Sequence, residues 1–148
     1  MANQGVGGWI ERRARLSPGR PALISEGRSW SYAELAVRIR RLANAFRAMG
    51  VGRTHRVAWV GPNHPAFLES LFAAGLAGAA LVPVNHRLGE VAILELLEQA
   101  EPSVVVLEDS MGDLRPPAVQ RVVVGGGDAV PDAIDYERLL SNAADDGV

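Results

Sequence analysis

Two short turns hold the polar side chains that this sequence brings closest to a possible site. Gly61-Pro62-Asn63-His64 follows the apolar run Val57 to Val60, and Asn85-His86-Arg87 follows the apolar run Leu81 to Val84. Each run reads as a buried parallel strand. Both turns therefore fall at the carboxyl ends of neighbouring strands, the edge of an open α/β sheet where ligands bind. Asn63, Asn85, His86 and Arg87 are the polar candidates for ligand or cofactor contact. The competing reading bonds each Asn to its own turn and pairs Arg87 with Glu90 or Glu95.

Other chemistry finds less support. Gly125-Gly126-Gly127-Asp128 follows a strand and could cradle a phosphate, but the order G-x-G-x-x-G is not met and no strong helix begins there. A turn is the simpler reading, as a linker is for Gly5, Gly7 and Gly8. His55, His64 and His86 lack metal-ligand spacing and neighbouring carboxylates, so no metal site is expected. Ser31 reads as a helix cap, not a nucleophile. With no cysteine there is no disulfide framework, thiolate ligand or thiolate nucleophile. The residues alone point to no catalytic group.

The elements that would position these turns alternate along the chain. Gly8 to Leu16 reads as a short helix with Trp9, Ile10 and Ala14 on one side, ended by Ser17-Pro18. Ala22 to Ser25 and Arg28 to Trp30 flank Glu26-Gly27 as a small hairpin. Ser31 and Glu34 make a capping box. The helix they open has the stripe Leu35, Ile39, Leu42, Phe46 and Met49, with Gly50 as its stop. Val57 to Val60, then Pro65 with Phe67, Leu68, Leu71, Phe72 and Leu76, then Leu81 to Val84 form a βαβ unit. Glu90 to Ala100 is a further helix, with Ile93, Leu96, Leu97 and Ala100 inward and Pro102 closing it. Ser103 to Leu107 and Arg121 to Val124 read as strands, and Asp135 to Leu140 as a helical turn. Trp9, Trp30 and Trp59 are expected to pack in the core or at its edge. The whole reads as one α/β domain over residues 1–140, a mostly parallel sheet flanked by helices with a hairpin near residues 22–30. A loose acidic tail, 141–148, follows.

Composition sets the outer limits. A chain of 148 residues, 48% apolar with net charge −2, fits one soluble globular domain. All basic residues are arginine, and there is no lysine. Residues 1–88 carry 12 Arg against 4 acids, whereas residues 89–148 carry 3 Arg against 13 acids. The simple expectation is that the two halves meet and neutralise each other, because the arginines are spread over helices and not gathered in a tail. No nucleic-acid partner is expected. Phe67 to Val84 is the one membrane candidate, but Glu69, small-residue breaks and Pro83 make it a buried helix plus strand. Met1-Ala2-Asn3-Gln4 has no secretory character.

The ordered wording resembles the N-terminal part of the adenylate-forming, AMP-binding enzymes. The matching pieces are Trp9 to Arg15 with Pro18 and Ala22-Leu23; Ser31-Tyr32-Ala33-Glu34-Leu35; Leu42-Ala43-Asn44 through Gly50-Val51; Arg56-Val57-Ala58 through Pro62-Asn63; and Leu81-Val82-Pro83-Val84-Asn85-His86-Arg87-Leu88. They span about residues 8–110. Asn85 to Leu88 is most similar to fatty or aryl acyl-CoA synthetases. Thr54-His55 and His64 depart from the family wording, both on turns.

The resemblance implies ATP-dependent activation of a carboxylic or fatty acid to an acyl-adenylate, then thioester formation with coenzyme A, using ATP, magnesium and coenzyme A in a cytoplasmic enzyme. A peripheral membrane contact is implied if the acid is long and apolar. The family's lysine-ended phosphate loop, its Tyr-Gly-x-Thr-Glu motif, its ribose-binding Asp and its small C-terminal domain do not occur within these residues. Phosphate chemistry needs a cradle plus cations. This polypeptide alone is therefore expected to be an inactive N-terminal subdomain. The alternative is a non-catalytic interaction module that dimerises through an exposed sheet edge or apolar patch.

Overall fold

The computed structural model describes residues 5–116, 119–126 and 130–146. Helix α1 (Gly8–Leu16) precedes an antiparallel hairpin, β1 (Pro21–Ser25) and β2 (Arg28–Ser31). Glu26 and Gly27 both take positive φ, 50° and 76°, which is the backbone a two-residue turn needs to match the twist of its strands. Then follow α2 (Tyr32–Ala48), β3 (Arg56–Val60), α3 (Pro65–Ala77), β4 (Ala80–Val84), α4 (Glu90–Ala100), β5 (Val104–Glu108), β6 (Gln120–Val124), β7 (Ile134–Asp135) and α5 (Tyr136–Asn142). Strands β3 to β7 form one parallel sheet in the order β4-β3-β5-β6-β7. The expected α/β class, the hairpin and the βαβ unit are all present. The two-residue strand β7 was not expected.

Local chemistry explains the helix ends. Glu34 N–H donates to Ser31 Oγ at 3.2 Å and Ser31 N–H donates to Glu34 Oε2 at 2.8 Å, the reciprocal capping box of α2. The helix stops as expected at Gly50, where φ is +85° and Val51 N–H reaches back to the Phe46 carbonyl at 2.9 Å. His64 caps α3 by accepting from Ala66 N–H at 3.1 Å, with Pro65 at the first helical position. Asp135 caps α5 by accepting from Arg138 N–H at 2.8 Å.

Alternation along the strands builds two cores, one on each face of the sheet. Val57, Trp59, Val104, Val106, Val122 and Val124 face α2, α3 and α5. Ala58, Val60, Val105, Leu107 and Val123 face α4 through Ile93 and Leu97. From α2, Leu35, Ile39, Leu42 and Phe46 are buried, each contributing about 2 kcal/mol by removal from water. Two expectations are corrected. Trp9 is 64% exposed, so it is neither core nor edge packing, although Trp30 and Trp59 are buried. Leu96 is 40% exposed, because Ile93 and Leu97, one turn apart, take the face against the sheet.

The two oppositely charged halves do meet. Arg38 pairs with Glu137 at 2.7 Å. On the same helix, Arg40 Nε donates to the Asp145 carbonyl at 2.7 Å, and Asn44 Nδ2 donates to the carbonyls of Ala144 and Asp146 at 2.9 and 3.0 Å. The segment after α5 thus lies along α2.

Candidate functional site

The carboxyl end of the sheet gathers the turns after β3, β4, β5 and β6. Gly61 opens the first of them at a point of close approach: a Cβ there would lie 2.5 Å from Glu108 Cβ. Only glycine lets the β3 turn pass the end of β5. Beside it, Asn63, Asn85 and His86 line one depression of about 290 Å³, floored by Trp59, Phe67 and Pro83. Asn85 also accepts from the backbone N–H of Arg87 at 3.0 Å, so its side chain holds its own turn. The Arg87 side chain is exposed and does not line this depression. No ion pair joins it to Glu90 or Glu95 among the described residues. Of the four sequence candidates, three therefore share a wall and one does not.

The other histidines serve turns. His64 caps α3 and lies against Trp59, with ring centroids 6.4 Å apart. His55 Nδ1 accepts from Gly52 N–H at 3.2 Å.

Sequence reasoning missed the strongest electrostatic feature. Glu69, the lone charge in α3, is 1% exposed. Arg38 Nε donates to its Oε1 at 2.5 Å and Arg38 Nη2 to its Oε2 at 3.2 Å. The Tyr136 hydroxyl donates to the same Oε2 at 2.6 Å. Arg38 also donates to both oxygens of Glu137, at 3.0 and 2.7 Å. Burial opposes the charge on Arg38, but the Glu137 and Glu69 carboxylates outweigh it and hold the guanidinium above its usual range. Burial first, then the Glu69 charge, raises the Tyr136 phenol well above 10. The Arg38 hydrogen bonds lower the Glu137 carboxyl. At neutral pH this is an arginine between two carboxylates with a neutral phenol. It has no free base or nucleophile, and it ties α2, α3 and α5 together at the carboxyl end of the sheet. The available signal was a single Glu among apolar neighbours in Pro65 to Ala77, which buries only with a partner.

These groups border a second cavity, of about 380 Å³, walled by Arg28, Trp30, Arg38, His64, Glu69 and Tyr136. Trp30 Nε1 is buried there without a hydrogen-bond partner, and the Arg28 guanidinium covers its ring at 4.6 Å. A third, apolar cavity of about 350 Å³ lies between Leu23 and Ile24 of the hairpin and Phe67 and Leu68 of α3.

Gly125 and Gly126, the described part of the turn after β6, lie against Asp109. Gly125 has φ +96°, and a Cβ on Gly126 would lie within 2.9 Å of Asp109 Cγ. The space against these glycines thus holds a carboxylate, which would repel an anion. Gly127 and Asp128 lie outside the described residues. No group of three or more His, Cys, Asp or Glu able to hold a metal occurs among the described residues.

Residues 10–145 match the AMP-binding enzyme family, and the chain belongs to that family. Among curated proteins it is similar to feruloyl-CoA synthase of Amycolatopsis sp, 51% identical over 106 residues, covering 72% of this chain and 22% of that protein. It is also similar to indoleacetate–CoA ligase of Aromatoleum aromaticum, 38% identical over 141 residues, covering 93% of this chain and 28% of that protein. Among solved structures, a benzoate CoA ligase from Burkholderia xenovorans superimposes with TM-score 0.84 at 25% identity, over 94% of this chain and 28% of the other. The chain therefore spans about a quarter of the length of these relatives. Acyl-CoA ligases, fatty acyl-CoA synthetases among them, are its family context.

Proposed function

We propose that this chain is the N-terminal subdomain of an ATP-dependent acid–thiol ligase, which joins a carboxylic acid to coenzyme A with release of AMP and pyrophosphate. The observation that carries the reading is the family match over residues 10–145, together with relatives whose names are CoA ligases. The described residues support a scaffolding role for this stretch. Its buried Glu69 is spent on Arg38 and Tyr136, its buried Arg121 on backbone carbonyls, Gly125 and Gly126 lie against Asp109, and its sequence has no lysine. Nucleotide, magnesium and coenzyme A would be held by residues outside this stretch, and the stretch alone is inactive. Asn63, Asn85 and His86 line the depression nearest the sheet edge and are the residues of this stretch best placed to touch a ligand; Arg87 stands outside it. A cytoplasmic setting accords with the ATP and coenzyme A such an enzyme consumes. No helix among the described residues is long and apolar enough to cross a membrane.

The acid is the finer question. Ferulate and indoleacetate, named in the two relatives above, are the first to test, with fatty acids second. The native gene product is incubated with ATP, magnesium, coenzyme A and each acid, and thioesters are read by mass spectrometry. An acid-dependent thioester with matching AMP supports the reading. Folded protein that forms none with aromatic or aliphatic acids contradicts it.

A second reading, a non-catalytic module that pairs with another copy, is favoured by one surface. Val91 is 72% exposed on α4 and Leu88 40% exposed just before it, and α4 packs beside the edge strand β4. Concentration-dependent dimerisation that Val91→Glu removes would support it.

A further inference from the structure

Among the described residues, nothing covers one face of helix α1. Trp9, Arg12, Arg13 and Leu16 follow the spacing i, i+3, i+4, i+7 and so form one stripe. Trp9 is 64% and Leu16 65% exposed, with exposed Arg12 between them. The opposite side is fixed to the body. Ile10 packs on the core, and Gly7 lies so close to α3 that a Cβ there would come within 2.5 Å of Leu76 N. The stripe therefore has no way to turn inward without moving the helix.

Its charge is one-sided. Arg12, Arg15 and Arg20 are exposed, and Arg13, the half-buried member of the stripe, holds its guanidinium 5.2 Å from the Tyr32 ring centroid. The single acid of the helix, Glu11, is taken by Arg40 of α2 at 2.9 Å. A chain of net charge −2 thus presents a local positive field around two large apolar side chains.

We propose that α1 is a docking surface for an anionic lipid bilayer. Trp9 and Leu16 enter the boundary between headgroups and acyl chains, and Arg12, Arg15 and Arg20 meet lipid phosphates. An indole belongs at that depth because its ring is apolar and its N–H polar. Guanidinium suits phosphate through paired N–H donors. A bilayer uses Trp9, Arg12 and Leu16 of the stripe together. RNA would stack on Trp9 but leave Leu16 in water. The surface is independent of the ligase reading.

The test uses the native gene product with vesicles of phosphatidylcholine alone or with one third phosphatidylglycerol. Binding is read by co-sedimentation and by tryptophan emission, the difference between wild type and Trp9→Phe isolating the Trp9 signal. Expected is binding to the anionic vesicles only, with a blue shift and reduced acrylamide quenching of Trp9. The variant Leu16→Ala should weaken binding, and Arg12→Gln with Arg15→Gln should weaken it about fivefold per arginine at low salt. All these positions are on the surface, so circular dichroism should be unchanged. The proposal is overturned by equal binding to neutral vesicles, by no vesicle binding, by RNA affinity matching that for anionic vesicles, or by a Trp9 already shielded from quencher before vesicles are added.

Discussion

Glu69 shows how much one residue decides in this fold. Its carboxylate accepts from Arg38 and Tyr136, and so joins three helices that contact one another only in part through apolar groups. Breaking a fully buried pair costs about 3–5 kcal/mol. Arg38 is partly exposed and keeps Glu137, so Glu69→Gln should cost less, about 2–3 kcal/mol, read as a lower urea midpoint at unchanged slope. An unchanged midpoint would mean the network holds nothing together. Tyr136 adds a pH signature. Its phenol titrates higher folded than unfolded, so the unfolded chain loses the proton first. Its contribution is complete below about pH 10 and is lost above that at about 1.4 kcal/mol per pH unit. Tyr136→Phe should flatten that alkaline decline in urea unfolding. None of this was legible in the sequence, where a lone Glu in an apolar helix marks a break in hydropathy and nothing names its partner 31 residues earlier. Asn63, Asn85 and His86 were legible as neighbours, because strand ends of a parallel sheet converge. The position of Arg87 was not, since a side chain one residue further along a turn points wherever the turn ends.

Among the elements, α2 and the βαβ unit were readable because local signals agree there: a capping box, a stripe of core residues and a glycine stop for α2, and Pro65 between two apolar strands for the unit. In helix α1, Ile10 and Ala14 lie on the inward side as read, but Trp9 does not. Trp9 and Ile10 are adjacent, and which one meets the core depends on the contact of Gly7 with α3, a long-range event. The same contact gives a prediction. Gly75 lies inside α3, where Ala would normally gain about 1 kcal/mol of helix propensity. Here the added Cβ would sit 2.9 Å from Gly7 N and 3.0 Å from Gly7 Cα, which are backbone atoms. Overpacking costs about 1–3 kcal/mol and should win, so Gly75→Ala is expected to lower the melting temperature and to loosen α1, seen as faster amide exchange over Gly8–Leu16. A stabilised Gly75→Ala protein would show that α1 gives way at no cost. Leu96 was misplaced for a related reason: α4 meets the sheet along Ile93 and Leu97, with Leu94 at the margin.

At the scale of the whole molecule, the basic first part and acidic last part close on each other through α2, which carries Arg38, Arg40 and Asn44 toward Glu137 and the carbonyls of 144–146. The class of fold was legible because strand and helix signals alternate; where each sheet edge finishes was not, since Ile134–Asp135 is too short to show a period. The central claim is that this lysine-free stretch is the scaffold of a ligase whose phosphate chemistry lies in other residues. It is tested most directly by ATP–pyrophosphate exchange with ferulate, indoleacetate and palmitate, run side by side on the native gene product and on the 148-residue chain. Acid-dependent exchange by the native product and none by the 148-residue chain is the predicted result. Exchange by the 148-residue chain itself would contradict it.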